Sequence, residues 1–118
     1  MKTLIIGAST NPERYAYKAA NSLLANGHEI ELVGQKAGEI KGHEIQINYP
    51  DLKGIDTVTI YVGPKNQPDL YDYILKQNPR RIIFNPGSEN SEFEQLAKGK
   101  GIKVEEACTL VLLATGQF

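Results

Sequence analysis

Short apolar runs alternate with helix-patterned segments along most of this chain, and that alternation limits the architecture more than any other feature. Leu4-Ile5-Ile6 is unbroken by charge, as expected of a strand covered on both faces. Tyr15 to Asn26 carries Ala16, Ala19, Ala20, Leu23 and Leu24 at helical spacing, and Asn26-Gly27 is a good stop. Glu29 to Val33 alternates polar and apolar residues and reads as a second strand. Thr57 to Val62 is a third, rich in β-branched residues, and Gly63-Pro64 ends it. Pro68 opens a helix with Leu70, Tyr71, Ile74 and Leu75 on its buried side. Arg81 to Phe84 is a fourth strand. Ser91-x-x-Glu94 is a capping box for the helix behind it. Ile102 to Glu105 makes a fifth strand, and Thr109 to Thr115 a short terminal helix. Residues 37 to 54 read mostly as loop, with His43 to Ile47 as a short extra strand at an edge.

Strands alternating with helices predict an α/β fold, a Rossmann-like doubly wound sheet that is mainly parallel. The expected order is 3-2-1-4-5, with the first and fourth strands central because they are the most continuously apolar. Ligands in such sheets bind beyond the carboxyl ends of the strands, at the switch between strands 1 and 4. The 118 residues suit a single domain, 1–118. Thirteen basic against fourteen acidic residues leave no basic excess to suggest nucleic acid or an anionic membrane. No apolar run approaches membrane-spanning length, and Leu4-Ile5-Ile6 is too short for a signal peptide. A lone Cys108 excludes an internal disulfide and fits a reducing cytoplasm.

A glycine follows each of the first four strands: Gly7, Gly34, Gly63 and Gly87. In this topology they share one edge, the edge where ligands are expected, so they suggest a groove where backbone meets ligand. Tight βα turns also use glycine without any ligand. The first junction, Gly7-Ala8-Ser9-Thr10-Asn11-Pro12-Glu13-Arg14, has the makings of a phosphate cradle. Gly7 permits a sharp turn, Ser9 and Thr10 offer hydroxyls, Pro12 suits a first helical turn, and Arg14 brings a guanidinium to a helix start. A plain capped loop fits the same stretch. NAD does not suit the groove. Only the first glycine of G-x-G-x-x-G is present, and the second strand ends in Gly34-Gln35-Lys36 where a ribose-binding acid is wanted.

Gly7-Ala8-Ser9-x-x-Pro12-x-Arg14-Tyr15, the Gly63-Pro64 turn, Asn85-Pro86-Gly87-Ser88-Glu89-Asn90 and the tail from Cys108 to Phe118 together resemble the small bacterial CoA-binding domain family. That family shares its fold with the CoA-binding domain of the succinyl-CoA synthetase α subunit. The resemblance covers nearly the whole chain. It implies coenzyme A or an acyl-CoA as ligand, with phosphates at Ala8, Ser9 and Arg14. It implies the adenosine end near Val33, Gly34 and Lys36, and pantetheine near Tyr61, Val62, Gly63 and Pro64. Asn85, Pro86 and Gly87 complete the expected site.

No catalytic set is visible. His28 and His43 have no partner nearby in sequence and read as surface histidines. Ser9 has no base beside it and reads as a binding hydroxyl. Cys108 could serve a redox role or form a mixed disulfide with CoA, but the commoner fate of a lone cysteine is a small buried hydrophobe. No metal is expected. The chain is too short for the phosphohistidine and nucleotide-grasp domains of acyl-CoA synthetases. The expectation is a carrier, sensor or presenting module for CoA, not an enzyme. A small NAD(P)-dependent enzyme and an interaction module with a vestigial groove are the alternatives.

Overall fold

The computed structural model describes all 118 residues. One sheet of seven strands runs through it: β1 (Lys2–Ile6), β2 (Glu29–Val33), β3 (Gly38–Ile40), β4 (His43–Gln46), β5 (Ile55–Ile60), β6 (Arg81–Phe84) and β7 (Lys103–Glu106). The helices are α1 (Tyr15–Ala25), α2 (Tyr71–Lys76), α3 (Ser91–Gly99) and α4 (Thr109–Ala114), with 3-10 turns at Pro64–Asn66 and Pro68–Leu70. The strand order is β3-β4-β2-β1-β5-β6-β7, parallel throughout except for β3 against β4.

This order corrects the expected 3-2-1-4-5. The strand at 55–60 does not flank β2. It pairs with β1 on the side away from β2, in register Ile5↔Thr59 and Ile6↔Ile60, and the strand at 81–84 lies outside it. The place beside β2 is taken by β4, the short extra strand expected at 43–47, which forms a hairpin with β3 from the part of the stretch expected to be loop. The hairpin turns on Lys41 and Gly42, both at positive φ (48° and 84°), a pattern suited to a tight two-residue turn whose twist matches the strands. Ile40 and Ile45 drive its docking: both are buried in the cluster that holds Ile5 and Leu32. The edge is therefore β3, and β4 lies inside it. The ligand switch falls between β1 and β5.

Thr57 and Thr59 are what disguised β5 as less central than β6. Both are buried, and Thr59 tolerates burial because its hydroxyl is fully engaged. Its Oγ1 shares a 2.7 Å hydrogen bond with Thr109 Oγ1 and accepts one from Asn85 Nδ2 at 2.6 Å.

Two apolar layers flank the sheet. Ile5, Ile30 and Leu32 meet α1 and α4 through Ala16, Ala20, Leu23 and Leu113. The alanines let α1 lie close to the strands. Leu4, Ile6, Val58, Ile60 and Phe84 meet α2 and α3 through Ile74, Phe93 and Ala97. Full burial of each large side chain contributes roughly 1.5–3 kcal/mol. The N-cap of α3 is Asn90, one residue before the expected Ser91. Its Oδ1 accepts from Phe93 N–H, and the Glu94 carboxylate accepts from Asn90 N–H.

Candidate functional site

A groove of about 770 Å³ opens at the carboxyl ends of β1, β2, β5 and β6. Its wall includes Gly7, Ala8, Ser9, Thr10 and Arg14 from the first junction, Val33, Gly34 and Lys36 after β2, and Tyr61, Val62 and Gly63 after β5. Pro86 and Gly87 join from the loop after β6. Thirteen expected site residues thus share one concavity. Pro12, Pro64 and Asn85 do not line it. Pro12 and Pro64 are exposed in the adjoining turns. Asn85 is buried beneath the floor, where its amide donates to Thr59 Oγ1 and Ile60 O and its Oδ1 accepts from Thr109 N–H at 2.9 Å.

The first junction is tied down before any ligand arrives. Gly7 and Ala8 both donate to Val33 O, at 2.9 and 3.0 Å, so neither N–H is free. Ser9 Oγ accepts from Asn11 N–H, and Asn11 Oδ1 accepts from Glu13 N–H, which curls the chain toward α1. The α1 N-terminus has no side-chain cap and no acid in its first turn. Its open N–H groups and positive dipole end meet the rim, where Tyr15 and Ala16 line the groove.

The four edge glycines have different causes. Gly7 (φ +90°) and Gly87 (φ +94°) occupy left-handed backbone, which a Cβ disfavours. Gly34 is needed for clearance, since a Cβ there would lie 2.5 Å from Ala8 O. Gly63 has φ −61° and ψ 154°, and no atom lies within 4 Å of where its Cβ would be. Folding does not require glycine at 63, a residue that lines the groove.

Three cations line the groove: Arg14, Lys36 and Lys65. None of them is among the ion pairs of the molecule. Asp69 is the one carboxylate in the wall. Lys65, Asn66 and Leu70 were not expected there. They are carried in by a 3-10 turn ahead of the predicted helix and a second that replaces its first part, and only the adjacent Gly63-Pro64 pointed to them. Tyr49 also reaches the rim, from a loop where its backbone holds φ +50°.

Tyr61 lines the floor with its hydroxyl buried beside the Thr59 and Thr109 hydroxyls but in no well-formed hydrogen bond. Burial pushes its phenol up to about 12. Cys108 is half-buried at the N-cap of α4, outside the groove lining. His28 packs against the Phe118 ring at 5.0 Å, beside the start of β2 and away from the groove. His43 lines a separate cavity of about 440 Å³ with Glu31 and Glu44. No three His, Cys, Asp or Glu side chains converge as a metal site would require.

A mostly parallel α/β sheet with a groove across its strand ends places the chain in the class of Rossmann-like α/β domains. Within that class the chain belongs to the CoA binding domain family, whose family model matches residues 1–114. Among solved structures it is similar to an uncharacterized protein at 49% identity, TM-score 0.97, covering 99% of this chain and 97% of that one. A Thermus thermophilus protein, cell-free ID.343, shares the fold at 24% identity and TM-score 0.86, covering 99% and 90%. A hypothetical protein from Pyrococcus horikoshii OT3 matches at 25% identity and TM-score 0.82, covering 91% and 77%. No curated protein matches the chain. No helix is long and apolar enough to cross a membrane.

Proposed function

We propose that this protein binds coenzyme A or an acyl-CoA in the groove and acts as a non-catalytic carrier, sensor or presenting module of the cytoplasm. The observation that carries the reading is the pairing of three unpaired cations with an uncapped helix start, in a chain of the CoA-binding family. CoA is an elongated polyanion with a neutral arm. Arg14 and the α1 start suit its diphosphate, Lys36 its 3′-phosphate, and the trough past Gly63 its pantetheine. The spent N–H groups of Gly7 and Ala8 shift the work of phosphate binding to Ser9, Arg14 and the helix start.

The reading as a binder rests on what surrounds the hydroxyls. Ser9 Oγ faces Asn11 N–H, with no base bonded to it. Native mass spectrometry of freshly purified protein tests the ligand directly, and thermal shift with CoA, acetyl-CoA, NAD and NADP tests selectivity. CoA or an acyl-CoA should be carried over and should raise Tm. A shift with NAD and none with CoA overturns the reading, as does steady hydrolysis of acetyl-CoA that Ser9→Ala abolishes.

A further inference from the structure

Gln67 is fully buried, yet it belongs to neither apolar layer. It lies between the two 3-10 turns, and every polar atom of its side chain is used. Nε2 donates to Val62 O at 2.8 Å and to Ser88 O at 2.7 Å. Oε1 accepts from Asn90 Nδ2 at 2.9 Å. Val62 is in the loop after β5, and Ser88 in the loop after β6. Both residues line the groove.

The place of these bonds in the sheet gives them meaning. Pairing of β5 with β6 ends at Ile60↔Phe84. Beyond that point the two chains separate, and side-chain amides take over from the backbone ladder. Asn85 Nδ2 reaches Ile60 O first, and Gln67 then spans Val62 and Ser88. Gln67 is held in turn by Asn90, the N-cap of α3, whose Nδ2 also donates to Tyr71 Oη at 2.8 Å. The gap between the two loops is therefore set by one buried amide nitrogen that donates to both. Arg14 and Lys36 rise from the first and second junctions, outside this clip.

We propose that Gln67 is a positioning residue that sets the groove's width between Val62-Gly63 and Pro86-Ser88, and so selects ligands that carry an extended neutral arm beyond their phosphates. The proposal rests on the reading that the groove takes CoA. Gln67 touches no ligand in it. A side chain of equal length without donors leaves Val62 O and Ser88 O facing each other unsatisfied, and the loops part.

The test compares CoA with adenosine 3′,5′-bisphosphate, which lacks the arm, by calorimetry on the full chain. The wild type should bind CoA more tightly than the bisphosphate. Gln67→Met should weaken CoA roughly tenfold, as expected for lost buried hydrogen bonds. Its affinity for the bisphosphate should stay within about twofold. Asn90→Ser is the second variant, since serine still caps α3 but cannot reach Gln67. It should shift the ratio the same way by a smaller factor, and it decides the matter if Gln67→Met does not fold. Folded variants that lose both ligands equally, or neither, overturn the role of Gln67 while leaving the groove assignment in place. A wild type that binds neither ligand overturns the assignment itself.

Discussion

Gly34 and Gly63 line the same groove from either side of β1, yet alanine at the two positions should do opposite things. At Gly34 the added Cβ would lie 2.5 Å from Ala8 O and 3.1 Å from Ile45 Cγ2. The first obstacle is backbone, held by the Ala8 N–H bond to Val33 O, so it cannot swing aside like a side-chain tip. Overpacking of this kind costs about 1–3 kcal/mol. Unfolding entropy of roughly 2.1 cal/mol/K per residue over 118 residues is about 0.25 kcal/mol per kelvin. A cost of about 2 kcal/mol then lowers Tm by roughly 8 °C. At Gly63 the backbone already has dihedrals any residue adopts, and the Cβ meets nothing. Alanine there should leave Tm unchanged or raise it by roughly 2–4 °C, through a less flexible unfolded chain. Gly63 lines the groove, so an added methyl should narrow it and lower CoA affinity although the fold is sound. Thermal melts of both variants, with calorimetric titration of CoA into Gly63→Ala, give the readings. A Gly34→Ala protein that melts with the wild type refutes the clearance argument. A stable Gly63→Ala protein with full CoA affinity shows that no ligand passes over that residue.

Arg14→Ala should lower CoA affinity roughly tenfold or more with little change in Tm, because the guanidinium is exposed and in no ion pair; calorimetry beside a melt separates the two effects. Lys36→Ala should remove a preference for CoA over dephospho-CoA that is only severalfold, since an exposed lysine pair is worth about 0.2–1 kcal/mol, and added salt should shrink it in the wild type. Asn85→Ala should lower Tm without touching the groove wall, since it strips Thr109 N–H and Ile60 O of their buried partner at about 1–3 kcal/mol per group left unsatisfied. Burial raises the Tyr61 phenol from 10.0 to about 12. The unfolded chain therefore loses that proton first, and stability present below pH 10 is lost as pH rises toward 12. Tyr61→Phe deletes a buried hydroxyl that makes no well-formed hydrogen bond, so it should match or exceed wild-type stability at neutral pH and show a shallower alkaline loss in denaturant titrations at stepped pH.

Local chemistry decides much of this protein without reference to long-range contacts. The alanine stripe from Ala16 to Ala20, the stop at Asn26-Gly27 and the apolar runs at Leu4–Ile6 and Ile82–Phe84 state their own secondary structure. Alternation of strand and helix states the fold class, and parallel strands bring their following junctions to one edge, which is why Gly7, Gly34, Gly63 and Gly87 could be placed around a groove from sequence. What sequence could not decide was which strand neighbours which. His43 to Ile47 read as a strand, but Lys41-Gly42 is a weak hairpin signal, so β3 and the seating of Ile40 and Ile45 in the layer under α1 were not legible. Thr57 and Thr59 looked polar until Asn85 and Thr109, more than twenty residues away in each case, gave Thr59 its buried partners. Gln67 is the extreme case. Nothing in Asn66-Gln67-Pro68 distinguishes it from an exposed loop residue, because its role is defined by Val62, Ser88 and Asn90, which only the folded chain brings around it. Secondary structure and the edge that carries the site follow from short-range steric and apolar pattern. Strand order follows from apolar burial as well as from the satisfaction of buried polar groups, and the groove's inner clip from the latter, conditions that exist only once distant segments share one interior.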